Sequence, residues 1–237
     1  MLLSVVIPAF NEELYLPETL SSILRASAEC RCGVELIVVD NASADRTAEV
    51  AKQSGATVVH ERVHNIARVR NVGAEAAHGD VLVFIDADTL VPRHFLDKIA
   101  DAMSDPACIG GSPDIVHRVR SKLLRAYFRA WRWIGVKLGM AQGPAQFCRR
   151  SAFSILNGYD ESQFMGEDVD FYWHLRKFCA RAGGYLKFLD DVTVVPSPRR
   201  FDQSPIWQTL IWTNPAFIAP FRKTRSAWAA WYIRPPR

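Results

Sequence analysis

Short runs of β-branched and aliphatic residues, SVVIP at 4–8, ELIVVD at 35–40, ATVVH at 56–60 and DVLVFID at 80–86, alternate with helical patterns over the first half of the chain. Each run is apolar almost end to end instead of at every second position, which predicts strands covered on both faces. Parallel neighbours require a crossover, and the intervening helical patterns supply it, so the expected fold is α/β: a single Rossmann-like domain with a mostly parallel central sheet flanked by helices. Pro17 suits the first turn of the first helix, and Leu16, Leu20, Ile23 and Leu24 repeat along one of its faces. In the second, Asp45 suits the N-cap and Gly55 the stop.

After Asp88 the pattern loosens. A helix is expected from about Pro92 to Met103, then an irregular CIGGSP, then a long basic stretch from Val119 to Lys137. Another helix is expected from Glu167, with Phe171, Leu175, Phe178, Cys179 and Ala182 on one face and Gly183 and Gly184 ending it, followed by a short strand, YLKFL. From Pro196 the chain is rich in Pro, Trp and Arg without clear periodicity and reads as an appendage.

Composition narrows the class. With 49% hydrophobic and 23% charged residues, the chain is neither disordered nor of low complexity. The net charge of +4 is unevenly spread: seven Lys/Arg oppose Asp202 alone from Pro196 to Arg237, and nine Lys/Arg meet no Asp or Glu between Ile115 and Tyr159. Such basic regions suit an anionic partner. The five Cys show neither zinc spacing nor a disulfide framework, so reduced cytoplasmic thiols are expected. LLSVVIPAF, which lacks a basic lead, is too short for a signal peptide or a spanning helix.

In open α/β sheets ligands bind beyond the carboxyl ends of the strands. Here those ends carry Asn11 and Glu12 after the first strand, Asp40 after the second, and Asp86-Ala87-Asp88 after the fourth. Each alone is an ordinary cap or turn residue. Together they converge on one crevice, where two carboxylates two positions apart could share a Mg²⁺ or Mn²⁺ completed by phosphate oxygens. Glu167, Asp168 and Asp170 open a predicted helix, where acidic residues also favour the helix dipole whatever their function.

Four ordered segments, SVVIPAFNEE, ELIVVDNASADRT, RNVGAEAAHGDVLVFIDADT and NGYDESQFMGEDVDFYWHLRK, strongly resemble the family 2 glycosyltransferases over about Ser4 to Lys177. The resemblance implies a GT-A fold and an enzyme of the hexosyltransferase type, moving a sugar from a nucleotide-diphospho-sugar, UDP- or GDP-linked, to an acceptor hydroxyl with a divalent cation, Mn²⁺ or Mg²⁺. It implies that Pro8, Ala9, Asn11 and Glu12 line the nucleotide pocket, that Asp40 meets the base edge, and that Arg70, with Asn71 beside it, lies near the donor phosphates. Asp86 would contact ribose or sugar, Asp88 the metal, and Asp168 would be the general base of an inverting displacement, with Glu167 positioning acceptor or base. The implied catalytic domain is 1–195, divided near residue 90 into donor and acceptor halves, with 196–237 as a basic, Trp-rich extension.

Relatives often place a metal-binding His late in the domain; TVVPSPRR at 193–200 has none, and Arg199 and Arg200 are candidates for the diphosphate or for solvent. A nucleotidyltransferase shares the topology but would carry a Gly-rich basic loop where this chain has PAFNEE. A catalytically silent sugar-nucleotide or membrane-binding protein would not need Asp86, Asp88 and Asp168.

Leu123, Leu124, Tyr127, Phe128, Trp131 and Ile134 recur at helical spacing amid Arg118, Arg120, Lys122, Arg125, Arg129 and Arg132. The tail adds Trp207, Trp212, Trp228, Trp231 and Tyr232 with Arg222, Lys223, Arg225 and Arg234. A basic amphipathic helix with aromatics suits an anionic lipid interface, and equally a helix packed on its own domain. The expectation is peripheral contact at the inner face of the membrane and a lipid-linked or membrane-proximal acceptor; a homodimer contact is the alternative use of the tail. Nucleic acid is not expected, since no binding motif accompanies the charge.

Overall fold

The computed structural model describes residues 1–138 and 143–228. Its elements in chain order are β1 (Leu2–Ala9), α1 (Leu16–Glu29), β2 (Gly33–Asp40), α2 (Thr47–Gln53), β3 (Thr57–His60), α3 (Ile66–Glu75), β4 (Val81–Ile85), β5 (Thr89–Leu90), α4 (Phe95–Ser104) and β6 (Cys108–Ile115). There follow α5 (Lys122–Leu138), β7 (Ala145–Arg149), α6 (Arg150–Ile155), α7 (Glu167–Ala182), β8 (Tyr185–Pro196), α8 (Arg199–Gln203), α9 (Ile206–Trp212), α10 (Pro215–Phe221) and a 3₁₀ turn at Arg225–Trp228.

The strands form one sheet in the order β3-β2-β1-β4-β7-β6-β8-β5. β1, β2, β3 and β4 are mutually parallel, as are β6 and β8; β7 runs antiparallel to β4 and β6, and β5 to β8. The mostly parallel α/β architecture expected from the strand pattern is therefore what forms.

Alternation along β1 explains why its run is apolar almost throughout. Leu3, Val5 and Ile7 bury into one layer with Leu16, Leu20 and Ile23 of α1 and Phe95 and Ile99 of α4. Val6 faces the other way, into a layer with Val69 of α3 and Phe171 and Leu175 of α7. Successive side chains of a strand point to opposite faces, so a strand sandwiched between helix layers needs apolar residues at every position.

CIGGSP is a strand, not an irregular connection. β6 is invisible to a propensity reading because it carries Gly110 and Gly111, yet both are demanded by close approach: a Cβ on Gly110 would lie 2.4 Å from the Phe147 carbonyl oxygen, and one on Gly111 1.9 Å from that of Lys187. The YLKFL strand extends to twelve residues as β8.

The tail is helical and attached. Trp228 is 1% exposed and its indole Nε1 donates to the Phe221 carbonyl at 2.9 Å, which removes it from the set of interfacial aromatics. Trp231, Tyr232 and Arg234 lie outside the described residues. Tyr127 of α5 and Thr213 share a hydroxyl hydrogen bond of 2.6 Å, and the Phe164 N–H donates to the Arg222 carbonyl at 2.7 Å.

Candidate active site

Register gathers the site. Ala9 pairs with Asp40 at the carboxyl ends of β1 and β2, and β4 runs beside β1 to end just before Asp86. Pro8, Ala9, Phe10, Glu12, Asn41, Ile66, Val69, Asp86, Ala87, Asp88, Arg199 and Arg200 line a cleft of about 180 Å³ at this edge. Of the residues expected at the nucleotide, Pro8, Ala9, Glu12, Asp86 and Asp88 face it.

Asn11, Asp40 and Arg70 take other positions. Asn11, at φ +54°, ties two loops together: its N–H donates to Ser43 Oγ at 3.0 Å and its Oδ1 accepts from the Ala44 N–H at 2.8 Å. Asp40 is buried beside His60, with 3.1 Å between Oδ2 and Nδ1, and accepts from the Ser43 N–H at 3.4 Å. Its successor Asn41 lines the cleft instead, its amide fixed by the Glu61 and Val63 carbonyls at 2.8 and 2.9 Å. Phe10 packs at a tilt against His64 next to it, ring centroids 4.7 Å apart. Asn41 and Phe10 are thus the groups a sequence reading passes over; a one-residue step at a strand end exchanges the faces.

Arg199, at the start of α8, returns from the tail to this wall. Its guanidinium hydrogen-bonds Glu12, lies 3.3 Å from Asp88 and stacks over the Tyr15 ring at 4.1 Å. Burial pushes the Glu12 carboxyl up to about 7 and Asp88 up to about 6, in each case against the pull of Arg199. Burial, together with the charge of Arg199, pushes Arg200 down to about 10, although Asp88 and Glu12 act the other way. The wall is therefore a desolvated set of carboxylates in want of positive charge.

The second centre is joined to the first through Arg70. This residue is 2% exposed, donates to Glu167 Oε1 at 2.5 Å and to Asp86 Oδ1 at 2.9 Å, and so spends its guanidinium on carboxylates instead of facing the cleft. Burial opposes its charge, and Asp86 and Glu167 nevertheless hold its proton affinity above the usual arginine value. Asn71 is likewise occupied, holding the Tyr159 backbone through both ends of its amide at 2.9 Å.

Next to Glu167, Asp168 is pushed up to about 7 by burial, then by the charge of Glu167 and, more weakly, by Asp86, against the pull of Arg70 and the Val169 N–H. Gly143 closes on it: a Cβ there would stand 2.7 Å from Asp168 Oδ2. Beside Gly143, the Pro144 carbonyl accepts from the Asp86 N–H at 3.1 Å. Asp170 turns away, bonded to Gln163 at 2.9 Å and Arg222 at 3.1 Å.

A divalent cation fits this donor set. Among the described residues no three His, Cys, Asp or Glu cluster as a complete protein cage. Mg²⁺ and Mn²⁺ sites are nevertheless commonly built from one or two carboxylates completed by substrate phosphates, and Asp86 and Asp88 offer such hard oxygens at the cleft. The buried Glu12 Oε2 has no hydrogen-bond partner, a further sign of uncompensated acceptor capacity at this wall.

The pattern at these strand ends has counterparts. A profile described as Glycosyl transferase family 2 matches residues 4–156, more than half of the chain. The chain belongs to glycosyl transferase family 2. Among curated members, the pre-mycofactocin glycosyltransferase of Mycobacterium tuberculosis is 29% identical over 195 residues, covering 75% of this chain and 40% of that protein. The 4,4'-diaponeurosporenoate glycosyltransferase of Staphylococcus haemolyticus is 37% identical over 110 residues, 41% of this chain and 27% of the other. An undecaprenyl-phosphate 4-deoxy-4-formamido-L-arabinose transferase of Pseudomonas aeruginosa is 30% identical over 137 residues, 55% of this chain and 39% of the other. This family 2 chain therefore spans less than half the length of these relatives.

Solved structures share the fold. The mannosyltransferase PcManGT from Pyrobaculum calidifontis, in complex with GDP-Man and Mn²⁺, superposes with a TM-score of 0.67 at 24% identity, over 96% of this chain and 69% of that one. S. aureus TarS in complex with UDP-GlcNAc gives 0.60 at 18% identity, over 82% and 58%. The architecture is the GT-A type that the sequence motifs imply.

Proposed function

We propose that the protein transfers a sugar from a nucleoside-diphosphate donor to an acceptor hydroxyl with inversion, Asp168 acting as general base. The observation that carries this reading is the Arg70 bridge, which ties the Asp86 wall of the strand-end cleft to Glu167 and so fixes Asp168 beside it. A donor-binding wall and a base in one rigid assembly are what a single displacement requires.

In this reading the nucleotide base enters between Phe10 and Asn41, and Arg199 and Arg200 meet the diphosphate. Asp86 and Asp88 would hold a divalent cation, which when bound supplies positive charge against the leaving diphosphate. Asp168 takes the proton of the acceptor hydroxyl as that oxygen attacks the anomeric carbon. The bond from that carbon to the diphosphate oxygen breaks on the opposite face, and the electron pair departs with the nucleoside diphosphate. A carboxylate with proton affinity near neutrality is suited to the task. The ligands of the fold relatives, GDP-Man and UDP-GlcNAc, support a UDP- or GDP-linked donor.

The name of the undecaprenyl-phosphate relative supports a lipid-linked acceptor. No helix among the described residues is long and apolar enough to cross a membrane, so any contact of these residues with a bilayer is peripheral in this reading. Five free cysteines are compatible with the cytoplasmic face. Anomeric NMR of the product from a UDP- or GDP-sugar tests the reaction: an inverted centre is expected, and retention overturns the single displacement.

A further inference from the structure

α5 presents two apolar faces, one buried in its own domain and one exposed. Leu124 and Phe128 are buried, with the Phe128 ring packed at a tilt against His117 and Phe201, centroids 4.6 and 4.8 Å away, and the buried Gly135 follows on the same face. Leu123, Ala126, Ala130, Trp133 and Ile134 recur at i, i+3, i+7, i+10 and i+11, a spacing that puts them on a separate strip. All five are exposed, Leu123 by 64% and Trp133 by 61%. Lys122, Arg125 and Arg129, again at i, i+3 and i+7, are exposed along the edge of that strip and make no ion pair with described residues. Arg132 does not belong with them, since Asp114 holds it at 2.5 and 2.8 Å.

A second exposed apolar row lies on α9. Ile206, Leu210 and Thr213 follow one another at i, i+4 and i+7; Ile206 is 39% and Leu210 41% exposed, and Thr213 meets Tyr127 of α5. Trp207 beside them is 63% exposed. The Tyr127 to Thr213 hydrogen bond holds α9 beside α5.

We propose that the outer strips of α5 and α9 form an interfacial anchor lying on an anionic bilayer. Charge complementarity selects this occupant. An exposed apolar strip with indoles suits the boundary between headgroups and acyl chains, and a basic row along its edge suits anionic headgroups. A twofold contact with a second copy would set the α5 strip against itself, with no Asp or Glu between Ile115 and Tyr159 to offset the facing cations. In sequence the anchor is flanked by site residues on both sides: Gly143, against Asp168, follows α5, and α8 with Arg199 precedes α9. That it brings a membrane-held acceptor to Asp168 rests on the transferase reading; the binding itself does not.

Flotation of the full chain at physiological salt, with phosphatidylcholine vesicles against vesicles containing phosphatidylglycerol, reads the binding without any sugar transfer. The chain is expected to float with the anionic vesicles only. K122Q/R125Q/R129Q should weaken it roughly 100-fold, about fivefold per basic residue lost from an anionic surface. L123S/W207S should weaken it at low and high salt alike, and both variants should keep the thermal unfolding midpoint, since the changes are exposed. A chain that stays at the bottom with anionic vesicles overturns the proposal. So does a stable dimer in solution that L123S/W207S converts to monomer, which would assign the strip to a second copy.

Discussion

The Arg70 guanidinium stands 2.5 Å from the Glu167 carboxylate, two residues 97 positions apart in the chain. Asp86 takes the other arm, so one buried cation joins α3, the end of β4 and the start of α7. A charge desolvated this far is tolerable only while its partners remain.

Arg70→Met should therefore destabilise the protein by about 3–5 kcal/mol, because it leaves Glu167 buried without a counter-charge. Arg70→Lys should fall between, since an ammonium cannot fork to both carboxylates as guanidinium does. Urea unfolding of the three proteins checks the order, and an unchanged midpoint for Arg70→Met would remove the bridge from the account.

The rate of transfer should climb with pH and level off above about 7, where Asp168 becomes a free base. The charge of Glu167 helps to keep that proton on, so Glu167→Gln should move the rising limb to lower pH. The same shift acts on stability. The folded protein keeps the proton to about pH 7, against 3.8 for an ordinary aspartate, so this stabilisation is complete below about 3.8 and lost as pH rises through 7. Asp168→Asn carries no charge to desolvate, and its gain in melting temperature over the parent should be larger at pH 8 than at pH 5. A gain that is equal at both pH values would contradict the raised proton affinity.

Gly143→Ala should leave donor affinity intact and lower kcat by about 10- to 100-fold, because its methyl group would displace a base whose placement matters on the ångström scale. Steady-state kinetics separate the two terms; a rise in donor KM with unchanged kcat would place Gly143 on the donor side.

Most of the β1 to β4 half was legible because double burial forces unbroken apolar runs, and DVLVFID ends where the carboxylates do. β6 was not, since Gly110 and Gly111 are set by neighbouring backbones far along the chain and not by local preference. Asp40 was expected at the cleft, and Asn41 lines it, a difference of one position that no local pattern resolves. The tail, without periodicity, reads as an appendage, and only the fold brings Arg199 to Glu12 across 187 residues. Leu124 and Leu123 look equivalent in sequence; packing against Phe201 and its neighbours buries the first and leaves the second outside.

Arg199→Ala should weaken UDP or GDP binding measured in chelator, because Glu12 and Asp88 would then face the diphosphate without their guanidinium. Arg199→Lys should restore part of the affinity. Equal affinity for the alanine variant and the parent would assign Arg199 to the fold alone.

The division of labour between the two carboxylate centres is tested most directly by calorimetric titration of the nucleoside diphosphate in Mn²⁺, using the parent chain, Asp88→Ala and Asp168→Asn. The parent and Asp168→Asn should bind alike while Asp88→Ala loses at least about tenfold, equivalent to about 1.4 kcal/mol. Equal losses in the two variants, or no binding by the parent to either UDP or GDP, would contradict a donor wall at Asp88 and a base at Asp168.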